Sequence, residues 1–256
     1  MAIGSVTRGT TATNRLRRVD RWIAQLPAFR RAERPLVVDL GYGASATTTL
    51  ELQHRLSRTR ADVEVLGVEI EPSRVALARS SERPGVTFVL GGFEVPSPRP
   101  PTVIRALNVL RQYDESEVAA SWALMCSRLE PGGVLVEGTC NETGRVASWI
   151  ALSPDGPVSF TVSLRLAELE RPSIVAERLP KALIHRNVDG ERIHEFLGEL
   201  DRAWRRHAPL SVYGPSQRWI ATAQTLRESG WPVLGGRSRW RLGELTVSWN
   251  AVAPRS

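Results

Sequence analysis

The stretch Val37-Val38-Asp39-Leu40-Gly41-Tyr42-Gly43-Ala44-Ser45 decides how this chain is read. A short apolar run from Pro35 to Leu40 leads straight into two glycines one residue apart. Such a run is a buried strand ending in a glycine turn. Glycines remove Cβ atoms where a backbone must turn sharply and approach a ligand closely. The helix expected next, over residues 46–58, points its N-terminal amides at that ligand. Taken alone, this loop serves equally well as a dinucleotide fingerprint. Two carboxylates argue otherwise. Asp39, two residues before Gly41, is placed to pair with a cationic amine rather than to face phosphate. Glu69, closing the next apolar run, is placed to take both hydroxyls of a ribose.

Working outward, strands are expected over 63–69, 86–90, 102–107 and 134–138, with helices between them. Pro72 suits the first turn of a helix through about residue 81. Val118, Trp122, Met125 and Leu129 share one helix face, and Pro131-Gly132-Gly133 ends that helix. Upstream, Leu16, Val19, Ile23 and Leu26 form an amphipathic stripe, with Asn14 as a candidate cap and Pro27 as its end. Strands alternating with helices call for right-handed crossovers and a parallel sheet covered on both faces. After 138 the pattern changes. Residues 146–152 and 158–166 flank Pro154-Asp155-Gly156-Pro157, a hairpin signature. Two amphipathic helices, around Ile193–Trp204 and Trp219–Leu226, precede two closing strands at 231–234 and 245–252.

Three pieces in order resemble the class I S-adenosylmethionine-dependent methyltransferases over residues 35–140. They are the glycine stretch, Val65 to Pro72 (VLGVEIEP), and Arg128 to Thr139 (RLEPGGVLVEGT). The resemblance implies an α/β fold: a doubly wound, mostly parallel sheet of the seven-stranded type, with an antiparallel last strand and an inserted hairpin and helical lid. It implies an Arg-rich segment and helix over 1–34, then a methyltransferase domain over 35–256 with a substrate-side insertion at about 140–215. S-adenosyl-L-methionine is the implied cofactor. Asp39, Gly41 and Gly43 would hold its methionine end, Glu69 its ribose, and Ile70 would lie on the adenine. Gly91-Gly92-Phe93 stands where the family often has an acidic residue at the adenine amine. There Phe93 would stack on the base, or a backbone carbonyl beside Gly92 would take that bond. Asn108, after the fourth strand, would lie at the cofactor's edge.

The implied reaction is O- or N-methylation of a small molecule by direct in-line transfer, where positioning does most of the work. A hydroxyl or protonated amine must also lose its proton, so a base is sought. His185 in the insertion and Glu142 after the fifth strand are the candidates. No clustered carboxylates suggest a metal; Cys126 lies on a core helix face, and Cys140 lacks a nearby base in sequence.

The 256 residues carry 34 Lys+Arg against 27 Asp+Glu, a formal charge of +7. That charge is uneven. Residues 1–34 hold eight arginines against Asp20 and Glu33, and residues 201–256 nine against three acids, so an acidic centre lies between two basic ends. An RNA or other polyanion methyltransferase using those ends is therefore one alternative. A non-catalytic binding protein that retains the fold is another, and a nicotinamide dehydrogenase a third. The Arg-rich start is read as folding over the cofactor pocket, gripping an anionic substrate, or simply fraying. No run approaches a membrane span and the start is polar, so a cytoplasmic location is expected.

Overall fold

The computed structural model describes residues 2–7, 9 and 11–255. Arg8, part of the Arg-rich start, lies outside the described residues. In chain order the elements are α1 (Arg17–Ile23), α2 (Pro27–Arg31), β1 (Leu36–Leu40), α3 (Thr47–Leu56), β2 (Glu64–Glu69), α4 (Pro72–Arg79), β3 (Val86–Leu90) and β4 (Val103–Leu107). Then come α5 (Glu115–Cys126), β5 (Val134–Cys140), β6 (Val146–Ser153), β7 (Gly156–Leu164), α6 (Lys181–Ile184) and α7 (Arg192–Arg206). The chain closes with α8 (Pro215–Glu228), β8 (Val233–Leu234), α9 (Arg237–Trp240) and β9 (Glu244–Ser248).

One sheet carries all nine strands in the order β3-β2-β1-β4-β5-β6-β7-β9-β8. The first five are parallel and the remaining pairings are antiparallel. The order reverses between β1 and β4, which opens a crevice beyond their carboxyl ends. Every residue of β1 and β4 is buried, as a strand covered on both faces requires.

The pleat sorts side chains to two cores. Val37, Val65, Val103 and Val136 pack with Leu16, just before α1, with Val19 and Ile23 of α1, and with Leu52 of α3. Leu36, Val38, Leu66, Ile104 and Leu135 pack with α5, α7 and α8 on the opposite face. Full burial of such a side chain contributes about 1.5–3 kcal/mol, so α1 is held mainly by its apolar stripe. It shares a core with β1, although it lies within the N-terminal segment 1–34.

One local expectation needs correction. Asn14 does not cap α1: it adopts φ 63°, a left-handed conformation that asparagine tolerates. Its N–H donates to Glu51 and its side chain accepts from Arg55. The hairpin of segment 140–215 forms, and it widens the sheet: β6 pairs with β5, and β7 with β9. Only the helical part of that segment lies over the sheet. Several arginines of the start are spent on backbone carbonyls, Arg17 on Asn14 and Thr143, Arg18 on Leu242.

Candidate functional site: a crevice with two unlike ends

The floor of the crevice is ionic. Arg105 lies in the middle of β4, beside Asp39 of β1, and is fully buried. Its Nε donates to Asp39 Oδ1 at 3.0 Å and its Nη2 pairs with Oδ2 at 2.7 Å. Its Nη1 pairs with Asp20 of α1, which also receives Arg55 at 2.6 Å. Thr49 and Thr48 donate to Asp39 Oδ2 at 2.8 and 3.2 Å. Burial opposes the Arg105 charge, but the carboxylates of Asp39 and Asp20 overcome it and hold the guanidinium above its ordinary pKa. Asp39, only 2% exposed, lines the crevice as part of the floor, with Oδ2 taken by Arg105 and both threonines and Oδ1 accepting from Arg105 alone.

The glycine loop turns above this floor. Gly41 and Gly43 have φ of 68° and 88°, conformations that side chains rarely adopt. Gly43 donates its N–H to Glu69 Oε2 at 2.9 Å, and Glu69 Oε1 accepts from Ile70 N–H at 3.0 Å. Arg74 stands 3.7 Å from the same carboxylate. Glu69, 1% exposed, therefore ends β2 as expected, with its oxygens turned onto the loop backbone.

Towards β2 and β3 the crevice is narrow and the chain fills it. Phe93 N–H donates to the carbonyl of Ile3 at 2.8 Å, and Ile3 N–H donates to Glu94 Oε2 at 2.7 Å. Ser5 N–H bonds the Tyr113 hydroxyl, and Gln112 donates to the Ser5 carbonyl at 3.0 Å. A Cβ built on Gly4 would lie 3.6 Å from both Ile70 Cδ1 and Phe93 Cε2. A Cβ on Gly92 would meet the Ile3 carbonyl oxygen at 2.0 Å. The backbone of Ile3 and Gly4 thus lies where Ile70, Gly92 and Phe93 converge, while the Ile3 side chain stays 48% exposed. Sequence reasoning stopped one residue short of Glu94; the signal was an acid directly after Gly91-Gly92-Phe93.

Towards β4 and β5 the crevice widens into a cavity of about 380 Å³, a size suited to small ligands. Its lining includes Asp39, Gly41, Gly43, Thr48, Asn108 and three arginines: Arg15, Arg111 and Arg178. Asn108 follows β4 with φ 63° and is locked by the backbone N–H of Cys140, which it accepts at 2.9 Å. Arg15 Nε is tied to the Asn141 carbonyl at 3.2 Å. Arg111 donates to the Glu177 carbonyl at 3.0 Å, which sets it beside Arg178. The Arg178 carbonyl is in turn held by the hydroxyls of Thr139 and Ser148, cross-strand partners on β5 and β6. Burial and the neighbouring Arg178 charge push the Arg111 pKa down. The Arg178 Nε is buried with no partner.

The two candidate bases are elsewhere. His185 caps α6 and is exposed, and Glu142 is exposed in the turn after β5. Neither lines the cavity. The structure thus brings together Asp39, Gly41, Gly43 and Asn108, and separately Glu69, Ile70, Gly92 and Phe93, and leaves His185 and Glu142 outside. Arg111 and Arg178 escaped notice because 33 arginines gave no contrast. Arg105 had a signal, one charge inside an apolar parallel strand.

The three motif pieces fall at the glycine turn after β1, the end of β2 and the approach to β5, within the β3-β2-β1-β4-β5 order. The fold is of the class I methyltransferase type. No protein-family model and no curated protein matches the chain. Solved structures that it is similar to include the magnesium protoporphyrin IX methyltransferase of Synechocystis PCC 6803 with bound SAH, at 19% identity, 50% of this chain, 55% of that one and a TM-score of 0.38. The CcbJ methyltransferase of Streptomyces caelestis is another, at 21% identity, 59% and 66% coverage and a TM-score of 0.36. A third is described as a pericyclic reaction enzyme, at 14% identity, 48% and 30% coverage and a TM-score of 0.37. The chain spans about half of the first of these.

Proposed function

We propose that this chain is an S-adenosyl-L-methionine-dependent methyltransferase acting by O- or N-methylation on a small-molecule acceptor. The observation that carries the reading is the pair formed by Phe93 N–H and the Glu94 carboxylate, a donor beside an acceptor. Adenine presents the complement on one edge, a ring-nitrogen acceptor beside an amine donor, and bases are commonly read along that edge. Ile70, Gly92 and Phe93 surround the same point. Glu69 is one loop away, its carboxylate able to exchange the Gly43 N–H for ribose hydroxyls. Gly41, Gly43 and Asn108 border the wide cavity, where the methionine end would lie over the floor that Asp39 and Arg105 build.

When bound, the cofactor supplies an electrophilic methyl group on a sulfonium. The protein's part is to hold and align the reactants and to exclude water. Binding on these terms requires residues 3–5 to leave, because the Ile3 backbone satisfies the same two groups as the base.

The test is calorimetric titration with S-adenosylmethionine and S-adenosylhomocysteine, on the full chain and on a chain lacking residues 1–7. Saturable binding is expected, tighter after truncation and weaker in Glu94→Gln. A folded, truncated protein that binds neither compound would overturn the reading. One observation favours a second reading, a non-catalytic protein that kept the fold: the chain's own backbone already occupies the Phe93–Glu94 pair. On that reading truncation exposes no nucleoside site.

A further inference from the structure

The wide end of the crevice holds the least satisfied polar groups of the site. Among the described residues, no carboxylate lies within ion-pair distance of Arg111 or Arg178. The carboxylate that does line the cavity, Asp39, is bound by Arg105 and two threonines. Arg178 keeps a buried Nε without a partner. Buried donors left this way are costly unless a ligand completes them. The Glu177 carbonyl holds the Arg111 guanidinium, and the Thr139 and Ser148 hydroxyls fix the Arg178 backbone next to it, so the two like charges stay close enough for Arg178 to lower the Arg111 pKa.

A second observation points the same way. The described lining offers no base: arginine does not deprotonate in proteins, Asp39 is committed, and His185 and Glu142 lie outside. A hydroxyl or ammonium acceptor would keep its proton here, whereas a carboxylate at pH 7 has none to lose. We infer that Arg111 and Arg178 bind the carboxylate of the acceptor, and that the product is its methyl ester. The inference rests on the methyltransferase reading for the reaction and on these residues alone for the binding. In the transfer, a carboxylate oxygen forms a bond to the methyl carbon of the sulfonium donor as the carbon–sulfur bond breaks. The electron pair leaves with sulfur, the opposite charges cancel, and no proton is released. Planar guanidinium forks match a carboxylate in shape as well as charge.

The probes are benzoate, its neutral counterpart benzamide, and inorganic phosphate, titrated into the full chain by ligand-detected NMR at fixed ionic strength. Each titration is run with and without S-adenosylhomocysteine, and near-ultraviolet circular dichroism confirms folding of Arg178→Gln and Arg111→Gln. Saturable benzoate binding is expected, with none for benzamide, weakened at least about tenfold by Arg178→Gln. Benzoate binding unchanged in both variants would overturn the proposal, as would phosphate binding as tightly as benzoate. S-adenosylhomocysteine weakened by Arg178→Gln, with 5′-methylthioadenosine unaffected and benzoate never bound, would assign the guanidinium groups to the cofactor's own carboxylate and overturn the acceptor assignment. Benzoate binding without any S-adenosylhomocysteine binding would leave the carboxylate site standing and remove the methyltransferase reading.

Discussion

The two ends of the crevice treat their polar groups in opposite ways. Towards β3 the chain completes its own hydrogen bonds, with Ile3 and Ser5 bonded to Phe93, Glu94, Gln112 and Tyr113. Towards β5 it leaves two arginines without a counter-charge around an open cavity. One end is self-complementary and the other is incomplete. The difference separates a ligand that competes with the protein from one that the protein lacks. The ionic floor lines the wide end through Asp39 and reaches the narrow end through the next two residues, Leu40 and Gly41, which line both.

Arg105→Leu is the most damaging change that the comparison predicts. It leaves Asp39 buried without a counter-charge and Asp20 with Arg55 alone, at a cost of about 3–5 kcal/mol, read as a lower urea midpoint. Both ends should fail together; wild-type ligand affinity retained at either end would show that the floor is not shared. Next is a change that touches neither end. Glu137, on β5, is fully buried, its carboxyl facing the Trp122 indole without a close hydrogen bond, and burial, only partly offset by Trp122, pushes its pKa from 4.5 to about 8. The folded chain therefore keeps a proton that the unfolded chain has released, so stability is full below pH 4.5 and falls as pH rises through 8. The slope approaches about 1.4 kcal/mol per pH unit. Glu137→Gln should flatten that slope and raise stability at pH 8 without altering ligand affinity. A slope that survives the substitution would place the titrating group elsewhere.

Removing residues 1–7 sharpens the comparison directly. It should tighten S-adenosylhomocysteine by about tenfold, because the closed form no longer taxes binding, and leave benzoate unchanged. Equal gains for both ligands would mean that the ends are not independent. The smallest effect belongs to Glu94→Gln, which keeps an acceptor but loses its charge. Nucleoside affinity should fall by about threefold to tenfold, with no change for benzoate.

The nine described strands were legible in the sequence, because a buried strand is a dense apolar run, and β1, β2 and β3 stop before Gly41, at Glu69 and before Gly91. The glycine loop and the end of β2 were legible for the same reason: backbone geometry restricts residue type. Asn14 misled because asparagine serves both as a cap and as a left-handed turn residue, and only the partners Glu51 and Arg55 decide between them. Asp39 was legible only in part. Its position relative to Gly41 is local, but its fate depends on Arg105, 66 residues later. The occupation of the Phe93–Glu94 pair by Ile3 spans about 90 positions, and no periodicity reports such a contact.

The anchoring of Asn14 onto Glu51 and Arg55 has a kinetic consequence. Ile3 lies eleven residues before that anchor, so when it lets go it travels at most roughly 40 Å, at about 3.3–3.6 Å per residue. A segment tethered that closely returns as a competitor at an effective concentration of about millimolar. An incoming nucleoside cannot hurry its departure by colliding with it. The observed association rate should therefore rise with nucleoside concentration and then level off, at a ceiling equal to the rate at which the segment opens.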